Sequence, residues 1–164
     1  METRIIHKED AVFWMDKDGI WHNKHGRFEH PKLIRFFHAS IQKDDHGYFV
    51  HQKTDEFEEK VYFRYEDTAI FVFDIQFDRP PDNKTGDQMV LCLNNGEKKV
   101  LDPEQLFQKD DALYVVTPEH WIKFTQKTLV KLSRHITEKE GVLWLTLQGN
   151  AWRIKSSLDG KTES

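Results

Sequence analysis

The chain has 164 residues, enough to bury roughly 68–70% of the surface its unfolded form exposes, so no disulfide or metal staple is needed to hold a core. Cys92 is the single cysteine, which excludes an intramolecular disulfide, and a formal net charge of −4 with scattered Lys and Arg argues against a nucleic-acid partner. No apolar run reaches the roughly 18 residues of a membrane span, and residues 1–8 lack the apolar stretch of a signal peptide, so a soluble, cytoplasmic protein with no membrane partner is expected.

Ala11–Met15 reads as a short strand, turned by Asp16-Lys17-Asp18-Gly19 into a second strand through Ile20-Trp21-His22. Pro31 stands where a first helical residue tolerates proline, because an amide proton there has no helical acceptor. Leu33, Ile34, Phe37 and Ile41 then predict an amphipathic helix of about three turns. Gly47 closes the connection to a strand at Tyr48-Phe49-Val50. Val61, Phe63 and Tyr65 share one face of the next strand, and Phe71, Phe73, Ile75 and Phe77 alternate along another, so the two are expected to form an antiparallel pair. Residues 78–87, with Pro80, Pro81 and Gly86 among charges, read as an exposed loop.

Beyond the loop, Met89–Leu93 and Lys98–Leu101 form a hairpin turned by Asn94-Asn95-Gly96. Asp102-Pro103-Glu104-Gln105 has the pattern of a capped helical turn. Strands follow at Ala112–Val116 and Trp121–Phe124. Thr125 caps a second helix whose apolar stripe is Leu129, Leu132 and Ile136. Strands at Val142–Leu147 and Ala151–Ile154 end the domain, and residues 155–164 form a polar tail.

The two halves repeat one order of elements. Ile34, Phe37 and Ile41 match Leu129, Leu132 and Ile136 at a constant separation of 95 (129−34, 132−37, 136−41). The expected architecture is therefore α+β: a single domain, 1–154, of two repeated sub-domains (about 11–77 and 88–154), each an antiparallel sheet packed with one helix.

Chemistry-bearing residues are sparse. His22, His25 and His30 form the densest histidine group and the one candidate zinc set, but the lone cysteine is far from them in sequence. Asp16-Lys17-Asp18-Gly19 opens like a calcium loop, yet the twelfth position, where such a loop needs a carboxylate, is Arg27. The carboxylates cluster in turns, where water keeps neighbouring acids ionised. No serine has the flanking glycines of a nucleophile elbow, and no glycine-rich phosphate loop opens a helix. No cofactor is expected. Trp21, His22, Tyr48, Trp121 and Trp144, aromatic groups near strand ends, are the candidate ligand-binding residues.

The segments Asp18-Gly19-Ile20-Trp21-His22, Leu33-Ile34-Arg35-Phe36-Phe37, Asp45-His46-Gly47-Tyr48-Phe49-Val50 and Glu66-Asp67-Thr68-Ala69-Ile70-Phe71-Val72 resemble the bacterial family catalogued as domain of unknown function 1285. The second half resembles it more loosely, through Leu113-Tyr114-Val115-Val116 and the helix after Phe124. The resemblance spans about residues 12–154. It implies a repeat-built α+β fold with a part in signalling or ligand binding, and it brings no catalytic residues. The expected function is a non-enzymatic module binding a small molecule or peptide in a cleft between the halves. The alternatives are a metal-dependent enzyme using the histidine group and a protein–protein adaptor offering a sheet edge.

Overall fold

The computed structural model describes residues 2–78 and 88–156. Residues 79–87 of the expected loop, and the tail from 157 onward, lie outside the described residues. The chain divides into two compact units: one runs to Ala69 and includes Asn94–Gly96, and the other takes Ile70–Leu93 and the chain from Glu97 onward.

Unit 1 contains β1 (Glu2–Ile6), β2 (Phe13–Met15), β3 (Trp21–Asn23), β4 (Gly26–Arg27), α1 (Pro31–Ala39), β5 (Ile41–Asp44), β6 (Gly47–Lys53) and β7 (Phe57–Tyr62). Strands β2, β3 and β4 form a three-stranded meander, and the second sheet has the order β1-β7-β6-β5. The helix begins at Pro31 as expected but ends at Ala39. Ile41 is the first residue of β5, not a fourth-turn helix position. Leu33, expected on the apolar stripe, is 42% exposed. The helix instead turns Phe37 into an aromatic core. The Phe37 ring lies 4.9 Å from Phe13, 5.3 Å from Trp21 and 5.0 Å from Phe28, each edge to face. Phe63 completes the cluster against Trp21 at 4.8 Å, and such pairings add about 0.5–1.5 kcal/mol each beyond the area they bury.

Unit 2 contains β8 (Ile70–Asp78), β9 (Gln88–Leu93), β10 (Lys98–Val100), a 3-10 turn at Pro103–Gln105, β11 (Leu106–Lys109), β12 (Ala112–Val116), β13 (Trp121–Phe124), α2 (Gln126–Ser133), β14 (Ile136–Lys139), β15 (Val142–Leu147), β16 (Asn150–Arg153) and β17 (Lys155–Ser156). One sheet of seven strands has the order β10-β9-β8-β13-β12-β11-β17, and β14-β15-β16 is a separate meander. Both expected caps form. Asp102 accepts the Glu104 amide at the 3-10 turn, and the Thr125 hydroxyl accepts the Thr128 amide at α2. The expected pairing of the strands around residues 61–65 and 71–77 does not occur. β7 pairs with β6 and β1, whereas β8 pairs with β9 and β13, in the other unit. Ile70, Phe71 and Val72 are all buried in succession, the mark of a strand covered on both faces. As with Ile41, Ile136 opens a strand (β14) instead of continuing a helix.

The helix-plus-meander segment has the same pairing in both units. Ile41 faces Val50 across β5–β6, and Ile136 faces Leu145 across β14–β15, a shift of 95 at both ends (136−41, 145−50). The His51 amide bonds the Ser40 carbonyl at 2.9 Å and the Thr146 amide bonds the His135 carbonyl at 2.8 Å, again 95 apart (135−40, 146−51). Each third strand then leads into a parallel contact with the first strand of the unit's other meander. Arg64 pairs with Trp14, and Lys155 pairs with Phe107.

Candidate functional site

Each unit carries concave surface on or beside its β5–β7 or β14–β16 meander, and the residue types on those faces differ. In β5–β7 the register sets Phe49 between Gln42 and Tyr62, with His51 and Lys60 the next pair along the same face. Those neighbours cover it. The Lys60 ammonium stands 4.9 Å over the Phe49 ring, Tyr62 packs 5.3 Å away, and Phe49 is left 3% exposed. The polar groups are tied to each other as well. The Tyr62 hydroxyl donates to Asp44 at 2.6 Å, and the His51 Nε2 donates to Glu58 at 2.6 Å. The phenol bond holds the Asp44 carboxyl below its usual range and pushes Tyr62 up to about 12, while the His51 bond lowers Glu58.

The same register in β14–β16 sets Trp144 between Thr137 and Arg153, with Thr146 and Ala151 the next pair along. Glutamine, histidine and lysine are thus replaced by threonine, threonine and alanine. The shorter side chains leave an open concavity of about 980 Å³ lined by Thr137, Lys139, Val142, Trp144, Thr146 and Arg153 among others. That volume lies at the upper end of the range of small-molecule sites, about 300–1,000 Å³. Two cations, Lys139 and Arg153, stand there against one acid, Glu140.

The other sequence candidates fall in different settings. Trp21 is 1% exposed and its indole N–H donates to His38 Nδ1 at 3.1 Å, so it is core and offers no face to a ligand. Burial pushes the His38 pKa down to about 4. Tyr48 is buried by its neighbours but its edge lines a recess of about 240 Å³ in unit 1. Trp121 is 40% exposed and packs on Phe107 and Tyr114 with the Lys109 ammonium 5.8 Å above it. Of the five, Trp144 is the one that lines this broad open concavity.

His22 does not gather with His25 and His30. Its Nε2 bonds Asp16 Oδ2 at 2.7 Å, and its ring stacks on Trp14 at 5.8 Å with 7° between planes. His25 and His30 are exposed, and no group of three ligating residues with metal geometry occurs among the described residues. Asp16 is committed to its own turn: Oδ1 accepts the Asp18 and Ile20 amides. Burial opposes ionisation of this carboxyl, but the bonds from His22, Ile20 and Asp18 outweigh it and lower its pKa. The Asp-x-Asp-Gly pattern is therefore explained by an Asx turn, with Gly19 at φ 79°.

The unit 1 recesses were not legible in the sequence. One, of about 260 Å³, is lined by Ile5, His7, Lys8, Glu9, His46 and Tyr62. The other, of about 240 Å³, shares Lys8, His46 and Tyr62 and adds Tyr48, Phe63, Arg64 and Tyr65. Gly47 makes this wall possible. It has φ 114°, and a Cβ there would meet the Tyr65 hydroxyl at 2.9 Å.

No protein-family model matches the chain, and no curated protein matches it. Among solved structures it is similar to a DUF1285 family protein from Silicibacter pomeroyi DSS-3, over 98% of this chain and 87% of that one, with TM-score 0.64 and 14% identity. It is also similar to a DUF1285 family protein from Shewanella baltica OS155, over 77% of this chain and 94% of that one, with TM-score 0.51 and 18% identity. The fold is thus the one the sequence resemblance implied, and at these identities the likeness is one of fold.

Proposed function

We propose that the protein is a non-enzymatic binding module built from two copies of one meander–helix–meander design, with the second meander covered over Phe49 in one copy and open around the matching Trp144 in the other. The occupant is a small molecule with a flat ring and an acidic group. The indole supplies a stacking face, Arg153 and Lys139 supply charge-assisted donors, and Thr137 and Thr146 supply hydroxyls at the edges. The observation that carries this reading is the presence, at matched register positions, of Thr137, Thr146 and Ala151 around Trp144 where Gln42, His51 and Lys60 surround Phe49, while Tyr62 is matched by the cationic Arg153. The reading includes no catalytic step: His22 and His51, each held by a carboxylate, stand outside the concavity.

Titrating the intact protein with a panel of aromatic carboxylates and nucleotides, followed by calorimetry, tests it. At least one member binds saturably, Trp144→Ala weakens it about tenfold or more, and Trp121→Ala leaves it unchanged. A panel with no binder, or one binding equally to the Trp144→Ala protein, overturns the reading.

A further inference from the structure

The two recesses of unit 1 meet at Lys8, His46 and Tyr62, and their linings divide by chemistry. The recess with Tyr48, Phe63, Arg64 and Tyr65 contains three basic side chains, Lys8, His46 and Arg64, three phenols and no acid. The adjoining one adds the exposed Ile5 side chain and the imidazole of His7, with Glu9 as its one acid. Neither the Lys8 ammonium nor the Arg64 guanidinium makes an ion pair with a described residue. A second nearby carboxylate, Asp44, is already engaged: it accepts the Tyr62 hydroxyl and the His46 amide, and Lys60 approaches it at 3.9 Å.

Such an arrangement has a local excess of positive charge in a protein whose net charge is −4. Its walls are fixed. Tyr65 packs edge to face on Tyr48 at 5.1 Å and on Phe63 at 5.7 Å, and its hydroxyl fits over the β5–β6 turn only because residue 47 is glycine. Arg64 lies in the backbone bridge to Trp14, and the Met15 amide bonds its carbonyl at 2.9 Å. The guanidinium is therefore carried by a fixed backbone position, and a guanidinium presents a planar fork suited to the oxygens of a phosphate or carboxylate.

We propose that this recess is a second binding site, for a small organic anion whose charged head lies among Lys8, His46 and Arg64 and whose short apolar body extends past Tyr62 toward Ile5. It is independent of the Trp144 concavity. Each recess, of about 240 and 260 Å³, is below the usual range for a drug-sized ligand, about 300–1,000 Å³, so the occupant is a compact molecule.

Calorimetric titration of the full chain with inorganic phosphate, phenyl phosphate and benzoate distinguishes the possible heads. Phenyl phosphate binding more tightly than inorganic phosphate supports a phosphate head with an apolar body. Benzoate binding more tightly than phenyl phosphate supports a carboxylate head. Lys8→Ala and Arg64→Gln each weaken the bound probe about tenfold, as loss of one charge-assisted contact does. Arg64→Lys restores part of the loss, and raising the salt concentration weakens binding in the wild type more than in either variant. Both side chains are exposed, so folding survives the changes, and inorganic phosphate, which has no ring to stack on Trp144, binds the Trp144→Ala protein as it binds the wild type. Failure of all three probes to bind at millimolar concentration, or equal binding by the Lys8→Ala and Arg64→Gln proteins, overturns the proposal.

Discussion

His38 is the buried imidazole among the described residues, 4% exposed. Its Nδ1 receives the Trp21 indole N–H at 3.1 Å and the Asn94 side-chain amide at 3.3 Å, while Asn94 also donates to the Ala69 carbonyl at 3.0 Å. A ring nitrogen that accepts must be unprotonated, and burial accordingly lowers the pKa to about 4 from an ordinary 6.5. The unfolded chain takes up a proton at this imidazole below pH 6.5 and the folded chain does not until about pH 4. Stability therefore falls as the pH drops through that window, at about 1.4 kcal/mol per unit. Denaturant unfolding at pH 7 and pH 5 is expected to differ by about 2 kcal/mol on this account. A His38→Gln variant, less stable at pH 7, loses most of that pH dependence; an unchanged pH dependence would show that other groups produce it. Nothing in the sequence announced this trio, because its partners lie 17 and 56 residues from His38. Residue chemistry that depends on remote partners is invisible to spacing. Trp21 for that reason reads in the sequence as a ligand-binding aromatic, whereas its indole N–H is occupied by His38 in the core.

At the scale of elements, the two helices begin differently. Thr125 caps α2: its hydroxyl accepts the Thr128 amide at 3.3 Å and donates to the Val72 carbonyl at 3.2 Å, which also receives the Thr128 hydroxyl. His30 precedes α1 without a side-chain cap. Replacing Thr125 with Ala is expected to cost about 1–2 kcal/mol, and replacing His30 with Ser to gain about 0.5–1 kcal/mol, as read by thermal or denaturant unfolding. An unaffected Thr125→Ala protein would mean that the Thr128 hydroxyl and the Thr125 amide, which also donate to the Val72 carbonyl, hold the helix start by themselves. The cap and the proline were legible in the sequence because capping is local. The helix ends were not. Ile41 and Ile136 fall at helical spacing from Ile34 and Leu129, yet each opens a strand, since an apolar residue at a strand start buries equally well on the core side. Ser40 and His135, which precede them, instead give their carbonyls to the hairpin amides of His51 and Thr146.

For the whole molecule, alternation along Val61–Tyr65 and Phe71–Phe77 identified strands but not their partners. Adjacency in sequence suggested a hairpin, whereas β8 is a central strand of the seven-stranded sheet. Pairing partners are chosen by non-local burial, which alternation does not encode. The constant separation of 95 was legible, and its structural counterpart is a shared register. That register turns the proposed function into a sharper experiment than deletion of Trp144. Thr146 and Ala151 are both exposed, so substitutions there are expected to change stability by no more than about 0.5 kcal/mol. Thr146→His with Ala151→Lys gives the open face the pair that covers Phe49, including an ammonium positioned to stand over the indole as Lys60 stands over its ring. Lysine adds a charge that by itself favours an acidic ligand, so Thr146→His with Ala151→Met supplies the same bulk without it. Loss of the planar acid from both double variants, at an unchanged unfolding midpoint, assigns the effect to filled space. Retention of wild-type affinity in both would mean that the space around Trp144 is not where the ligand goes.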